Sequence, residues 1–316
     1  MTLKPFLQAV ARGKGRGRTL DFDEARAAMD LMLSGKAEPE VEAALLMVLR
    51  YRGETDAEIA GFTAALQDHT PLDGYDLDWP SYAAGRSRGA PLFLLSAKLV
   101  AQAGYRVVLH GWNSDQRGVA DVRAALPALG IPVSEPGAAL SYYPLEQLSP
   151  GAFRLLRLRE TLGLRSCVNT VLRMWNPARA SAQVQGVFHP SYRGLQARAA
   201  ERLGQKNLTI IKGGGGEFER HPGKDIAVFG LRGGAHIETS APAIQSATRR
   251  LHEVGADLSA PALWAGHLQD DFAVDVVVGT AALALWTLGA AAQIADAEEL
   301  ATELWAKRLS QAEICA

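Results

Sequence analysis

Five arginines and no aspartate or glutamate lie between Thr161 and Ala200, in a chain of 316 residues whose formal net charge is -1. An average composition would place roughly four carboxylates in such a window. The absence of acidic residues from one stretch of a nearly neutral chain predicts a surface that binds a negatively charged partner. The expected partner therefore carries phosphates or carboxylates.

Further basic residues lie on both sides of this window. Near the amino terminus, cations alternate with glycines in a segment that predicts an exposed loop able to follow a phosphate backbone. On a helix beginning at Ser166, Asn169 and Arg173 follow Arg165 at steps of four residues and share one face. A solvated surface with scattered ion pairs is the alternative for these cations. The candidate polyanion-binding residues are Arg12, Lys14, Arg16, Arg18, Arg154, Arg157, Arg165, Arg173, Arg179, Arg193, Arg198 and Arg202.

The elements that must position these residues are of two kinds. Apolar periodicity and capping residues predict helices over 21–34, 39–50 and 55–69, so that residues 1–72 form a small helical domain joined by helices near 155–182. Residues 73–316 alternate between short apolar strands and helices, which predicts an α/β domain with a central, mainly parallel sheet. The strands are predicted at 106–110, 183–188, 208–211, 226–231 and 236–240, and the helices at 90–103, 119–129, 153–162, 166–175, 194–203, 242–254, 270–288 and 297–309, with a loop through 142–144.

Composition excludes several classes of protein. Hydrophobic residues make up 48% and charged residues 21% of the chain, which is ordinary for a globular protein with a large core. The apolar runs 91–95 and 281–292 are shorter than the roughly 18 residues that a membrane span needs, and the amino terminus lacks the features of a signal peptide. Cys167 and Cys315 form neither a metal-ligand spacing nor a disulfide framework. We therefore expect a cytoplasmic protein without a membrane partner.

Several motifs resemble the anthranilate phosphoribosyltransferase family. Leu20–Leu66 is similar to the amino-terminal helical domain of these enzymes, and the likeness continues through VVLHG at 107–111, RETLGLRS at 159–166 and GVFHP at 186–190. The resemblance implies a phosphoribosyltransferase (nucleoside-phosphorylase-like) fold and a homodimer formed through the helical domain. It also implies a role for Arg165, because the matching arginine of the family faces the carboxylate of anthranilate.

The chain departs from the family where the enzymes bind diphosphate and magnesium. The family's GTGGD loop corresponds to residues 81–85, which read SYAAG, and its flanking lysine and arginine correspond to Leu109 and Asn113. Of its adjacent aspartate and glutamate, the first falls on Phe218 and only Glu219 survives, with Glu217 nearby. An anion could still rest near the helix that follows Gly89. The possible anion-binding residues are Ser81, Tyr82, Gly85, Arg86, Arg88, His110, Lys212 and Gly213.

These departures, together with the added arginines, resemble the YbiB-type branch of the superfamily, whose members are regarded as nucleic-acid-binding homodimers. The marks are PSY at 80–82, RGKGRGRTLD from Arg12, LGLRS from Leu162, FHPSYRG from Phe188 and GGGGE from Gly213. The resemblance predicts sequence-independent binding of DNA or RNA by a homodimer, with no catalytic residue, no cofactor and no metal.

Two other functions stay open. The first is an active glycosyl or phosphoribosyl transferase that uses phosphoribosyl pyrophosphate and magnesium with an unknown acceptor. In that case Glu217 and Glu219 would hold the magnesium, while Arg86, Arg88 and Lys212 would hold the phosphates. The second is a protein-binding scaffold that binds neither ligand.

Overall fold

The computed structural model describes residues 2–13, 15–69, 72–82, 89–113, 120–246, 249–251 and 258–309. Its helices are α1 (Lys4–Ala11), α2 (Phe22–Leu33), α3 (Pro39–Arg52), α4 (Asp56–Gln67), α5 (Phe93–Gln102), α6 (Val122–Ala125), α7 (Leu145–Leu148), α8 (Pro150–Leu162), α9 (Val168–Met174), α10 (Tyr192–Arg202), α11 (Ala260–Trp264), α12 (Asp271–Leu288) and α13 (Ile294–Lys307). Its strands are β1 (Leu77–Ser81), β2 (Val107–Gly111), β3 (Leu140–Pro144), β4 (Ala182–Val187), β5 (Asn207–Lys212), β6 (Ile226–Arg232) and β7 (Ala235–Ala241).

Two helices of the helical domain, α2 and α4, begin with a capping box. Asp21 accepts the N–H of Glu24 at the start of α2, and Thr55 accepts that of Glu58 at the start of α4, while each glutamate reaches back to its capping residue. Reciprocal capping satisfies backbone donors that the first turn of a helix leaves open. Helices α8 and α9 pack against α2 and α4, so a segment from the middle of the chain completes the helical core.

The sheet has seven strands in the order β3-β2-β1-β4-β5-β6-β7. The first five in this order run parallel, and β6 and β7 are antiparallel additions at one edge. This confirms the predicted fold class: a small helical domain beside an α/β domain with a mainly parallel sheet. The parallel strands are buried on both faces, as βαβ crossovers require.

Several sequence-based assignments were incomplete. The sequence predicts no strand at β1, and it predicts a loop through 142–144, where the structure has the end of β3 in register with β2. The helix expected over 119–129 is divided at Pro127 into α6 and a short 3-10 helix, because proline supplies no N–H for a continuing helix. Residues 242–246 of the helix predicted over 242–254 lie outside any helix, and 247–248 and 252–254 lie outside the described residues.

Helix α12 is long and apolar enough to cross a membrane by length and composition. In this fold it is a core helix, because 78% of it is buried inside the protein. It packs against β4, β5, α5 and α13. Ser96 on α5 donates a 2.9 Å hydrogen bond to the Val277 carbonyl.

Candidate active site

The strand order places a crevice beside β1. The chain runs outward from β1 through β2 to β3, and β4 then returns to the opposite side of β1. In open parallel sheets, ligands bind outside the carboxyl ends of the strands at the point where the strand order reverses. The carboxyl ends of β1 and β4 lie at that point. A ligand-binding site is therefore expected in the segments that follow these two strands.

A cavity of about 110 Å³ lies after β4, next to α9. Arg165, Asn169 and Arg173 line it together. Asn169 and Arg173 share a face of α9, as expected from their spacing of four residues, whereas Arg165 lies in the segment before the helix. The wall is completed by one residue of α3, by α9 and the segment before it, by the end of β4 and the turn after it, and by the start of α10: Arg50, Ser166, Thr170, Val187, Phe188, His189 and Tyr192. This set offers guanidinium, amide and hydroxyl groups, which bind oxyanions.

Arg173 is the most buried cation of this pocket, with 6% of its surface exposed. Its Nη2 donates a 2.8 Å hydrogen bond to the backbone carbonyl of Tyr82, just after β1. Burial lowers the pKa of Arg173, the nearby Arg165 lowers it further, and the Glu217 carboxylate opposes both. Three arginines, Arg50, Arg165 and Arg173, therefore line this pocket, and the Glu217 carboxylate lies within electrostatic range of the most buried of them.

A chain of buried polar side chains continues from Tyr82 into the sheet. The Tyr82 hydroxyl and His110 Nδ1 share a 2.9 Å hydrogen bond, and His110 Nε2 lies 3.2 Å from Asp78 Oδ1 without the alignment of a hydrogen bond. Gln183 Nε2 donates to Asp78 Oδ2 at 2.7 Å. Burial raises the pKa of Asp78 although His110 and Gln183 oppose it, and burial raises the pKa of Tyr82 well above its usual value. His110 is thus enclosed between two buried partners.

The glycine-rich turn after β5 packs against β4. An added Cβ on Gly186 would lie 2.1 Å from the backbone carbon of Glu217, and one on Gly213 would lie 1.6 Å from its carbonyl oxygen. Only glycine permits this close approach of two backbones. Phe218, at the position of the family's aspartate, is fully buried with its ring centroid 5.4 Å from that of Trp79. An aromatic core contact has replaced an acidic side chain there.

The carboxylates of this turn do not fit a magnesium ion in this arrangement. Glu219 Oε1 accepts the N–H of Phe93 at 3.1 Å, at the start of α5, and only 1% of Glu219 is exposed. Glu217 is fully buried within electrostatic range of Arg173. Magnesium keeps several waters in its octahedral shell, for which two carboxylates enclosed in this way leave no room. Among the described residues, no group of three or more His, Cys, Asp or Glu could hold a metal ion.

The remaining predicted anion-binding residues are dispersed. Ser81 is buried at the end of β1, and Lys212 is exposed at the end of β5. Gly85, Arg86 and Arg88 lie outside the described residues, as does Lys14. Sequence reasoning missed Asp78 and Arg50. An aspartate within an otherwise apolar strand was the available signal for Asp78, because charged residues are rarely fully buried without partners.

Most of the predicted polyanion-binding arginines are paired with acidic residues. Arg202 lies 2.5 Å and Arg198 3.9 Å from Asp56 at the start of α4, and Arg179 lies 3.6 Å from Asp68 at its end. The acid-free window of the sequence therefore meets acidic residues of the helical domain in space. This arrangement is the alternative that the sequence left open, a surface with scattered ion pairs.

Three more arginines of that set pair with acidic residues, and three others have different surroundings. Arg18 forms a bidentate pair with Glu24 at 2.5 Å, Arg154 pairs with Glu42 at 2.7 Å, and Arg157 pairs with Glu160 at 2.7 Å. Arg193 lies over the Phe229 ring at 4.4 Å. Arg12 and Arg16 line a separate cavity with Arg18 beside α1. Among the members of the set that the structure describes, only Arg165 and Arg173 line the pocket at the strand ends.

Comparisons with known proteins agree with this architecture. Residues 4–70 match a family model described as the helical bundle domain of a glycosyl transferase family. The anthranilate phosphoribosyltransferase of Thermus thermophilus has a similar structure, with a TM-score of 0.76 and 24% identity over 95% of this chain and 93% of its own. The Saccharomyces cerevisiae enzyme, solved in complex with PRPP and Mg, has a TM-score of 0.69 and 17% identity over 97% of this chain and 95% of its own.

The sequence comparison corrects the prediction of function. The anthranilate phosphoribosyltransferase of Bacillus caldotenax is 33% identical over 251 residues, which cover 74% of this chain and 99% of the relative. A relative of this kind points to phosphoribosyl transfer, so the prediction of nucleic-acid binding was wrong, and the paired arginines give the physical reason. The comparisons do not distinguish the YbiB-type branch. They do show that the chain belongs to the anthranilate phosphoribosyltransferase family.

Proposed function

We propose that this protein transfers a phosphoribosyl group from phosphoribosyl pyrophosphate to an acceptor that carries a carboxylate. In such a transfer the acceptor's nucleophile forms a bond to the anomeric carbon of the ribose. The bond from that carbon to the diphosphate breaks, the electron pair leaves with the diphosphate, and the nucleophile loses a proton. The protein's contribution is to bind and orient two anionic substrates and to offset the charge that develops on the leaving group.

The observation that carries the proposal is the pocket of Arg165, Asn169 and Arg173 at the carboxyl ends of the parallel strands. Its position fits the ligand crevice of an open sheet. In the related enzymes the residue matching Arg165 faces the acceptor's carboxylate, and a planar guanidinium can bind a carboxylate through two parallel hydrogen bonds. The acceptor is thus expected to enter beside α9, with its nucleophile directed toward β1.

The diphosphate region differs most from the enzymes named above. The S. cerevisiae structure contains PRPP and Mg, whereas Glu217 and Glu219 here are buried in a way that does not suit the ion. We therefore assign no step to a metal held by these residues. The binding test is therefore made both with and without magnesium. Dimer formation and a cytoplasmic location stay predictions.

The direct test is calorimetry of phosphoribosyl pyrophosphate binding with and without magnesium, followed by an assay of diphosphate release with a panel of aminobenzoates. We expect binding of the donor and turnover with at least one carboxylate-bearing acceptor. Arg165→Met should raise the KM for that acceptor at least about tenfold, because hydrogen bonds to charged groups are among the strongest. Arg179→Met, on an exposed arginine beside Asp68, is the matched control. Absence of donor binding under both conditions would overturn the proposal.

A further inference from the structure

Arg173 is a cation that the resemblance to the family does not account for. It lines the same pocket as Arg165 but lies deeper, and the hydrogen bond to Tyr82 engages one of the five N–H donors of a guanidinium. Its acceptor is a peptide carbonyl oxygen. The fully buried Arg220, by contrast, pairs with the Glu298 carboxylate at 2.6 Å, as buried charged side chains usually do.

Guanidinium groups that line one pocket, with Arg173 among them buried, raise the free energy of the empty site. Like charges disfavour one another, and the burial of Arg173 removes water that would screen its charge. The Glu217 carboxylate offsets part of this charge. An anion bound by Arg165 and Arg173 would lower this cost and would gain charge-assisted hydrogen bonds from both. The arrangement therefore favours occupation by a small oxyanion.

We propose that Arg173 binds the oxyanion of a substrate in this pocket together with Arg165, and that Tyr82, His110 and Asp78 are positioning residues that hold Arg173 in place. The oxyanion belongs either to the diphosphate of the donor or to the carboxylate of the acceptor. This identification of the substrate rests on the proposed function, whereas the oxyanion site itself does not.

The positioning argument follows the hydrogen bonds. The carbonyl oxygen of Tyr82 accepts a 2.8 Å hydrogen bond from Arg173 Nη2. The hydroxyl of the same tyrosine shares a 2.9 Å hydrogen bond with His110 Nδ1. His110 is in turn enclosed by Asp78 at 3.2 Å and by the ring of Trp175, whose centroid lies 5.6 Å away. Each member is buried. The sheet interior thus sets the position of one carbonyl oxygen, and that oxygen orients the guanidinium.

The test measures the affinity of two simple probes, inorganic diphosphate and benzoate, by calorimetry on the full chain. Arg173→Met should weaken at least one probe about tenfold or more, as expected for the loss of a charge-assisted hydrogen bond, while Arg179→Met leaves both within twofold. Loss of diphosphate alone assigns Arg173 to the donor, and loss of benzoate alone assigns it to the acceptor. If Arg173→Met does not fold, Arg173→Lys takes its place.

The positioning role is tested by a double-mutant cycle. Tyr82→Phe keeps the ring and removes the hydroxyl, so it should weaken the affected probe several-fold in the wild-type background and have no further effect in Arg173→Met. A merely structural role of Tyr82 would lower affinity equally in both backgrounds. Binding of neither probe by the wild type, or equal binding by wild type and Arg173→Met, overturns the oxyanion site. These results do not require turnover, so they are distinct from a failure of the transferase proposal.

Discussion

Arg202 Nε lies 2.5 Å from Asp56 Oδ2, which joins the carboxyl end of α10 to the first turn of α4. Arg198, one turn earlier on α10, approaches the other oxygen of the same carboxylate at 3.9 Å. One acidic residue of the helical domain thus faces two arginines of the α/β domain. The pair is a link between the two parts of the fold and explains why these arginines do not form an open basic surface.

Replacement of Asp56 by asparagine should lower stability in a pH-dependent way. Burial raises the pKa of Asp56, but the hydrogen bond and charge of Arg202, with a contribution from Arg198, outweigh burial and lower it below 3.8. A carboxylate with a lowered folded pKa stabilises the protein above its unfolded pKa, and the contribution is lost as the pH falls through the folded value. Because half of Arg202 is exposed, we expect a difference of only about 0.5–1 kcal/mol at pH 7.

Urea unfolding at pH 7, 5 and 3 measures this difference. The control is Asp23→Asn, at an exposed acidic position in the first turn of α2. The gap between wild type and Asp56→Asn should close as the pH falls below 3.8. A gap that stays constant from pH 7 to pH 3 would contradict the assigned pairing.

Two glutamates at equivalent capping positions should differ in their effect on stability. Glu58 is fully buried, accepts the N–H groups of Leu20 and Thr55 at 2.9 Å, and pairs with Arg52. Glu58→Ala therefore leaves two backbone donors and a guanidinium without their acceptor, at a cost of about 3–5 kcal/mol. Glu24→Ala removes a more exposed capping box and should cost about 1 kcal/mol. Chemical denaturation of both variants compares them, and equal losses would show that burial of Glu58 contributes nothing.

Local signals allowed part of the fold to be predicted, and long-range pairing explains what was missed. Helix α2 was expected within one residue at each end, because Asp21 and Glu24 form a capping box within four residues. The sequence predicts a loop through 142–144 at the end of β3, because the strand conformation there depends on pairing with β2 rather than on its own residues. The parallel order of the sheet followed from the alternation of strands and helices.

The candidate site shows the same division. The shared face of Asn169 and Arg173 was predictable, because it depends only on helical spacing, whereas Arg165 reaches the same pocket from the segment before α9. The proximity of His110 and Asp78 was not, because it depends on the register that places Pro80 opposite His110. Likewise Asp56 is distant in sequence from Arg198 and Arg202. A sequence window can therefore show an excess of charge but not the acidic residues that neutralise it.

Addition of a single methyl group at Gly186 should disrupt the turn that carries Glu217. The new Cβ would lie 2.1 Å and 2.2 Å from the backbone carbon and oxygen of Glu217, and backbone atoms in a packed turn cannot move aside as a flexible side chain can. We expect Gly186→Ala to cost about 3 kcal/mol or more. Gly194→Ala is the control, because its Cβ would meet only the end of Arg198 at 3.3 Å.

Since Gly194 lies within α10, alanine there should stabilise the protein by about 0.5–1 kcal/mol. Thermal unfolding of the two variants should therefore shift the midpoint in opposite directions. Equal midpoints for Gly186→Ala and wild type would show that β4 and the turn that carries Glu217 are not in close contact.

Helix α13 offers a comparison of a buried and an exposed ion pair on one element. Glu298 lies 2.6 Å from the fully buried guanidinium of Arg220, whereas Glu303 lies 3.2 Å from the exposed Lys307 one turn along the same helix. Both glutamates occupy helical positions, so Glu→Ala changes helix propensity equally at each. Glu298→Ala leaves a charge buried without its partner and should cost about 3–5 kcal/mol. Glu303→Ala should cost about 0.5 kcal/mol or less.

Guanidinium chloride would screen the exposed pair, so urea is the denaturant of choice. Similar losses for the two variants would show that Arg220 does not depend on Glu298 for its compensation within the core.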